Sequence, residues 1–213
     1  AATALVAAKL RNSGQVCISP NRIYVQDAIH DRFVDAVAEK VARIRVDQGL
    51  QEGFVVGPMI NQAGIDKVAA LVDEAKAAGA RVVLGGKPHA KGGLFYEPTV
   101  LAGLDDGMRI AHTEIFGPVF PVYRFHTEDE GVRRANQSEY GLVAYAYTRD
   151  LARAFRLSRN IESGMVMLNS GSVGTASVPF GGIKQSGYGR EGSYYGIEEY
   201  VEVKYVLMGG LDR

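Results

Sequence analysis

The only cysteine of the sequence, Cys17, lies in the stretch RNSGQVCISPN, residues 11–21. A cysteine thiolate is a strong nucleophile that can form covalent intermediates with carbonyl compounds. Gly14 would let the backbone approach a ligand closely, and the polar Ser-Pro-Asn after the thiol is poor material for a core helix. The alternative is a small buried hydrophobic residue, because free cysteines usually pack in that way. The stretch by itself leaves both interpretations open.

Three other stretches contain residues suited to holding a ligand. In HTEIFGPVFPV, residues 112–122, Glu114 could accept hydrogen bonds from ribose hydroxyls, and Phe116 could pack on a flat ring. The alternative is that Glu114 is a solvated carboxylate and Phe116 a core phenylalanine. The glycine-rich VPFGGIKQSG, residues 178–187, is typical of a ligand-lining loop or of a tight connection. GYGREG, residues 187–192, matches the dinucleotide pattern G-x-G-x-x-G but lacks the preceding strand that this pattern requires.

Charge and composition exclude several classes of function. The 24 basic residues balance the 24 acidic ones, so no net field favours nucleic acid or an anionic membrane. No apolar run reaches the ~20 residues needed to cross a bilayer. The four histidines are scattered without metal-ligand spacing, so no metal site is predicted. A single cysteine cannot form an intrachain disulfide, which favours the cytoplasm.

Helical and strand patterns alternate along the chain with short turns between them. Apolar residues at helical spacing predict helices over 29–44 and 62–78, the second ended by Gly79. Strands are predicted at RIYVQ, RVVLGG (as a buried strand), PTVL, PVFPVYRF, GLVAYAYT and GMVMLN. Further helices are predicted at EDEGVRRANQ and DLARAFRLSRN. The ending GIEEYVEVKYVLMGG predicts a helical turn followed by a strand. This order predicts an α/β domain with a largely parallel sheet. The helix-forming start, AATALVAAKLRN, has no cap before it, so we expect the C-terminal part of a longer protein.

Taken in order, these stretches resemble the motifs of the aldehyde dehydrogenase superfamily. GQVC resembles the family's catalytic Gly-Gln-x-Cys, EIFGPV its nicotinamide-ribose motif, and PFGGIKQSGYGREG a further signature near the end of the chain. The resemblance covers nearly the whole chain and implies a three-layer catalytic domain with an open, largely parallel sheet over residues 1–200. It also implies that 201–213 is a strand that makes subunit contacts in a homo-oligomer, a dimer or a tetramer.

Position by position, the resemblance implies roles for individual residues. Cys17 matches the nucleophile, Glu114 the residue that binds the nicotinamide-ribose hydroxyls, and Phe116 the one that packs beside the nicotinamide. Lys67 matches a lysine near the cofactor ribose. In the implied reaction the thiolate adds to an aldehyde, the thiohemiacetal gives hydride to NAD or NADP, and water cleaves the thioester.

The flanking residues are most similar to those of succinate-semialdehyde dehydrogenases. In that subfamily an arginine at the position of Arg11 binds the far carboxylate of the substrate, a task that suits the forked guanidinium. The alternative is that Arg11 only caps or solvates the preceding helix. A serine of the loop before PFGG, namely Ser170, Ser172 or Ser177, could add a hydroxyl contact, and of these Ser177 is the predicted substrate contact.

Several parts of the family's machinery precede the cysteine. They are the general-base glutamate, the oxyanion-hole asparagine and most of the cofactor-binding domain, so the 213-residue chain alone is expected to be inactive. The expected partner is a small aldehyde, with no nucleic acid and no membrane. The competing functions are oxidation of another semialdehyde or an aromatic aldehyde, and a non-catalytic role in assembly.

Overall fold

The chain alternates helices and strands around a central four-stranded sheet, in a computed structural model that describes residues 1–50, 52–53 and 55–211. The first half contains α1 (Ala2–Leu10), a 3-10 turn (Arg11–Gly14), β1 (Ile23–Gln26), a 3-10 turn (Asp27–Ile29), α2 (His30–Ala42), β2 (Arg45–Val46), β3 (Val55–Val56), α3 (Gln62–Ala77), β4 (Arg81–Leu84) and β5 (Thr99–Ala102). The second half contains α4 (Arg109–His112), β6 (Val119–Phe125), α5 (Glu128–Asn136), β7 (Tyr140–Gly141), β8 (Val143–Ala146), α6 (Leu151–Asn160), β9 (Met165–Leu168), β10 (Ile183–Lys184) and a 3-10 turn (Tyr195–Tyr200). This order confirms the predicted interleaving.

The central sheet has the strand order β1-β6-β5-β4. Strand β6 pairs in parallel with β1 on one side and with β5 on the other, whereas β4 pairs antiparallel with β5 at the edge. A second parallel pair is formed by β8 and β9, and a third by β2 and β3. The short β7 and β10 pair antiparallel. The predicted α/β fold with a largely parallel sheet is therefore confirmed, with antiparallel pairing where β4 and β7 lie.

The period-two alternation of strands β5 and β6 assigns their side chains to two separate cores. One core contains Val100, Phe120 and Val122 and is closed by α1 and α2. The other contains Leu101 and Tyr123 and is closed by α3 and α4. Helices thus cover both faces of one sheet, which confirms the predicted three layers.

Helix α3 agrees closely with its sequence pattern, and α2 agrees less well. The apolar residues predicted for one face of α3 are all buried: Ile65, Val68, Leu71, Val72 and Ala75. Helix α3 begins where Asn61 Oδ1 accepts a 2.8 Å hydrogen bond from the Gly64 N–H, and Gly79 follows its end with φ +101°. Helix α2 begins one residue later than predicted, because Ile29 lies in the preceding 3-10 turn and is 42% exposed.

Two strand predictions need correction. β4, predicted as a buried strand, lies at the sheet edge and its residues are exposed or half-buried. The strand predicted after the helical turn near the end is not formed within the chain, because the described part, 201–211, lies exposed without pairing to another strand. Residues 212–213 of that prediction lie outside the described residues. Of the helices in the described parts of the chain, none is long and apolar enough to cross a membrane.

Candidate active site

Cys17 lies at the tip of a tight turn between α1 and β1. The Ser19 N–H donates a 2.9 Å hydrogen bond to the Val16 carbonyl, which closes a four-residue turn with Cys17 as its second residue. The Cys17 side chain is exposed, whereas the next residue, Ile18, is buried against Met165 and its neighbours. The turn is therefore anchored by Ile18 and presents the thiol to solvent, which contradicts the alternative of a buried small hydrophobe.

Gly14 brings the Cys17 segment into backbone contact with the EIFGPV segment. It has φ +80°, and a Cβ at this position would lie only 2.2 Å from the Gly117 carbonyl oxygen. Gly117 is equally confined, since a Cβ there would lie 2.6 Å from Val68 Cγ2 on α3. The three segments therefore pack at distances that only glycine allows.

Gly14→Ala is expected to destabilise the protein by roughly 3 kcal/mol or more, because it adds steric overlap to left-handed backbone strain. A change of that size lowers Tm by roughly 6–12 °C in a domain of this length. The matched control is Gly79→Ala, since Gly79 has φ +101° but nothing within 4 Å of its added Cβ. Thermal melting of both variants separates the effect of steric overlap, expected only in Gly14→Ala, from the effect of left-handed backbone strain, expected in both. Equal shifts would contradict the close contact of Gly14 with Gly117.

Gln15 and Ser13 attach the same segment to the loop before α3. The Gln15 side-chain amide donates to the Pro58 carbonyl at 3.2 Å and accepts from the Ile60 N–H at 2.8 Å. Ser13 Oγ accepts from the Gly57 N–H at 2.8 Å. These bonds fix the entry to α3, the helix that carries Lys67, relative to the thiol turn.

Asn21 holds the backbone on both sides of Glu114. Its side-chain nitrogen donates to the Thr113 carbonyl at 2.9 Å, and its side-chain oxygen accepts from the Ile115 N–H at 2.9 Å. One amide thus satisfies two backbone groups that flank the candidate cofactor-binding carboxylate. This role was not predicted from the sequence, although Asn21 belongs to the polar segment after Cys17 that marked the stretch as unlike a core helix.

Phe116 and Lys67, both predicted to lie near the cofactor, come together in the structure. The Lys67 Nζ lies 5.9 Å from the centre of the Phe116 ring, within cation–π range. Phe116 has φ +54°, a backbone conformation that is rare for an aromatic residue and is concentrated at functional sites. Glu114, two residues earlier, is exposed. The chain bends at the next two residues, Gly117 and Pro118, before it enters the buried strand β6.

A buried lysine, Lys9, lies beneath this region on α1. Its side chain is 1% exposed, and burial lowers its pKa to about 7 while the negative charge of Glu114 raises it. The Lys9 carbonyl also accepts a 3.2 Å hydrogen bond from Ser19 Oγ in the thiol turn. Lys9 was not predicted as part of the site. The only signal was a lysine within the apolar helix ATALVAAKL.

Arg11 and Tyr145 lie on the other side of the thiol turn. Arg11 is the C-cap residue of α1, its side chain is exposed, and that side chain makes no hydrogen bond to the described residues, an arrangement that fits both a substrate anchor and a solvated helix end. The Tyr145 hydroxyl donates a 2.9 Å hydrogen bond to the Ile18 carbonyl. Burial raises the pKa of Tyr145 to about 12, and Arg11 and Cys17 are close enough to act on it with opposite signs. Tyr145 therefore contacts the Cys17 turn through the Ile18 carbonyl.

A cleft of about 510 Å³ adjoins the turn and is formed mainly by the loop after β9. Met165 and Val173 line it and also pack on Ile18. The Ser177 hydroxyl is outside the lining and hydrogen-bonds at 2.8 Å to the hydroxyl of Thr175, which does line the cleft. The structure thus brings Ser177 to the cleft only through Thr175, which was not predicted.

The PFGG loop is a tight connection. A Cβ on Gly164 would lie 2.1 Å from the Gly181 carbonyl oxygen. Phe180 also exchanges two backbone hydrogen bonds with Glu191, at 2.9 and 2.7 Å. These contacts favour the structural interpretation of the glycines themselves, while the preceding residues line the cleft.

The chain is similar in sequence to the proteins of one known family. A sequence model described as the aldehyde dehydrogenase family matches residues 1–206. The chain belongs to the aldehyde dehydrogenase family. In this chain the GQVC segment packs on EIFGPV through Gly14 and Gly117, and Ile18, the residue after GQVC, lies in one cluster with Phe180 of PFGG.

Curated relatives and solved structures cover nearly all of the chain. It is 47% identical over 208 residues to the mitochondrial succinate-semialdehyde dehydrogenase of Arabidopsis thaliana, covering 98% of this chain and 39% of that protein. It is 48% identical over 205 residues to a 3-sulfolactaldehyde dehydrogenase of Pseudomonas putida, covering 96% and 42%. The crystal structure of a succinate-semialdehyde dehydrogenase from Burkholderia pseudomallei superposes with a TM-score of 0.94 at 45% identity, covering 96% and 42%. The chain spans about two fifths of the length of these proteins.

Proposed function

We propose that this chain carries the nucleophile of an NAD(P)-dependent aldehyde dehydrogenase that oxidises succinate semialdehyde to the carboxylic acid. The observation that supports this best is the packing of the Cys17 turn on the Glu114 segment. Gly14 abuts the backbone of Gly117, and Asn21 braces the peptide groups on both sides of Glu114. An exposed thiol and a candidate cofactor-binding carboxylate thereby belong to one rigid unit.

The proposed chemistry begins with Cys17, whose sulfur forms a bond to the aldehyde carbon. The backbone N–H of Cys17 donates to no acceptor among the described residues, so it can stabilise the negative oxygen that develops. NAD or NADP, when bound, would accept the hydride that leaves the aldehyde carbon, and the loss of that hydride leaves Cys17 in a thioester. Water then cleaves the carbon–sulfur bond of the thioester, which releases the acid and restores the Cys17 thiol.

The residues around Glu114 fit a nicotinamide cofactor chemically. The exposed Glu114 carboxylate can accept hydrogen bonds from ribose hydroxyls, and the half-buried Phe116 offers a flat face to an aromatic ring. The positive charge of Lys67, close to the Phe116 ring, suits an anionic cofactor. We propose these three residues as the part of the cofactor site that this chain contributes.

The proposed substrate ends in a carboxylate, and Arg11 is its proposed anchor. The Arg11 guanidinium is exposed and without a hydrogen-bond partner among the described residues, and Arg11 begins the 3-10 turn that precedes the Cys17 turn. A guanidinium can bind a carboxylate through two parallel hydrogen bonds. Ser177 is proposed as a weaker contact that acts together with Thr175, because their hydroxyls are hydrogen-bonded. Relatives that act on succinate semialdehyde and 3-sulfolactaldehyde are consistent with a substrate that is anionic at its far end.

The terminal segment is proposed as a subunit contact that follows a catalytic domain over residues 1–200. Its apolar side chains are strongly exposed, including Val203 at 100% and Tyr205 at 84%. An extended apolar segment with unpaired backbone groups is suited to pairing with a strand of another subunit. We therefore propose a homo-oligomer, in which residues 201–213 add to a sheet of a neighbouring copy.

The test uses the purified protein that contains this chain. With succinate semialdehyde, it is expected to reduce NAD or NADP at a rate proportional to enzyme concentration, and with a kcat/KM well above that for butanal. Residues 1–213 alone are expected to show no steady turnover, because the family's general base precedes the cysteine. A higher kcat/KM for an aromatic aldehyde would favour the rival substrate. If the protein assembles into its oligomer but oxidises no aldehyde, the result would favour a non-catalytic role in assembly.

A further inference from the structure

The turn that carries Cys17 is held from outside by a side chain distant in sequence. The Tyr145 hydroxyl donates a 2.9 Å hydrogen bond to the Ile18 carbonyl, although the two residues are 127 positions apart. Ile18 is the third residue of the four-residue turn, directly after the thiol, so this bond restrains the peptide plane between Ile18 and Ser19, one residue after Cys17.

The other restraints on the turn act at different points. The Ser19 N–H closes the turn on the Val16 carbonyl, and Ser19 Oγ connects it to Lys9 on α1. The Ile18 side chain packs on Met165. The Ile18 carbonyl oxygen, by contrast, accepts a hydrogen bond from Tyr145 alone among the described residues.

Tyr145 can act as this donor across the working pH range. It stands on β8, which pairs in parallel with β9, so its backbone is fixed by a regular ladder. Burial raises its pKa to about 12, so the hydroxyl keeps its proton at neutral and moderately alkaline pH. The positive charge of Arg11 and the thiol of Cys17 both lie near enough to influence it.

We propose that Tyr145 is a positioning residue, whose hydrogen bond to the Ile18 carbonyl holds the Cys17 thiol in its reactive geometry. The consequence for catalysis rests on the proposed aldehyde oxidation. Displacement of a reacting atom by about 1 Å can cost as much as ~100-fold in rate, so one bond that fixes the turn can affect kcat strongly.

The experiment compares Tyr145→Phe with Tyr147→Phe. Tyr147 lies two residues further along the same segment, and its buried hydroxyl finds no hydrogen-bond partner among the described residues. Each substitution removes one phenolic oxygen and leaves the ring in place, but only the first removes a bond to the thiol turn. Loss of an unpartnered hydroxyl is expected to be close to neutral.

Tyr145→Phe is expected to lower kcat about tenfold with KM changed less than about twofold, while Tyr147→Phe keeps both near the wild-type values. Hydrogen–deuterium exchange of a peptide covering residues 13–21 is expected to accelerate about threefold or more in Tyr145→Phe alone. The exchange readout does not depend on activity, so it still tests the proposal if the wild-type protein oxidises no aldehyde and the proposed function fails.

Three outcomes would overturn the proposal. Unchanged exchange in Tyr145→Phe would mean that the bond does not restrain the turn. Faster exchange with unchanged kcat would mean that the restraint does not position the thiol. Equal effects of Tyr145→Phe and Tyr147→Phe would mean that the hydrogen bond to Ile18 is not the cause. Melting curves of both variants establish that the protein is folded in each comparison.

Discussion

Cys17→Ser is expected to lower kcat/KM for aldehyde oxidation by at least ~10⁴-fold, because a serine hydroxyl is a far weaker nucleophile than a thiolate at neutral pH. The side chain is exposed at the tip of its turn, so the change leaves the packing of the turn intact. Thermal melting is therefore expected to be nearly unchanged. Steady-state kinetics with succinate semialdehyde measure the loss, and a folded but inactive variant is the expected result.

Chemical modification gives an independent test of the same residue. Iodoacetamide at neutral pH is expected to label Cys17 and to remove activity in proportion to the labelled fraction, with the site mapped by mass spectrometry. A non-catalytic scaffold predicts a different pattern, in which a labelled protein or Cys17→Ser assembles normally and changes no measured rate. Substantial activity left in fully labelled protein would exclude Cys17 as the nucleophile.

The elements that the sequence predicts well are those specified by local patterns. Helix α3 combines an Asn cap, an apolar face with helical spacing and a terminal glycine, and all of these signals lie within the helix or next to it. β5 and β6 are apolar runs and were predicted as strands. The antiparallel direction of β4 and the extended, unpaired segment after Tyr200 depend on distant partners, so local pattern does not determine them.

The candidate site follows the same division. Cys17, Glu114 and Phe116 are candidates because each lies in a short stretch that resembles a motif of the family. The supporting residues are not, because their partners are remote: Asn21 bonds to the backbone 92 and 94 residues away, and Tyr145 bonds to Ile18 127 residues away. A polar side chain that serves a distant backbone group has no local signature. Its role becomes visible only when the fold brings the two together.

Arg11→Ala is expected to lower kcat/KM for succinate semialdehyde by about 10–150-fold, the range for loss of hydrogen bonds to a charged group. For butanal, which has the same chain length but no carboxylate, the expected change is less than about threefold. The selectivity has a physical reason, since only the acid-bearing substrate can use the guanidinium. Arg32→Ala, at an exposed arginine on α2, is the matched control and should change neither value.

Arg11→Lys sharpens this prediction, because lysine keeps the charge but loses the forked geometry. If the anchor is bidentate, Arg11→Lys should recover only a small part of the loss with succinate semialdehyde. If charge alone attracts the substrate, Arg11→Lys should match the wild-type protein, and the loss in Arg11→Ala should shrink at high salt. Equal losses for succinate semialdehyde and butanal in Arg11→Ala would mean that Arg11 supports the Cys17 turn rather than the substrate. The ratio of the two substrates therefore separates carboxylate binding from any general effect on the thiol, because a disturbed thiol penalises both aldehydes alike.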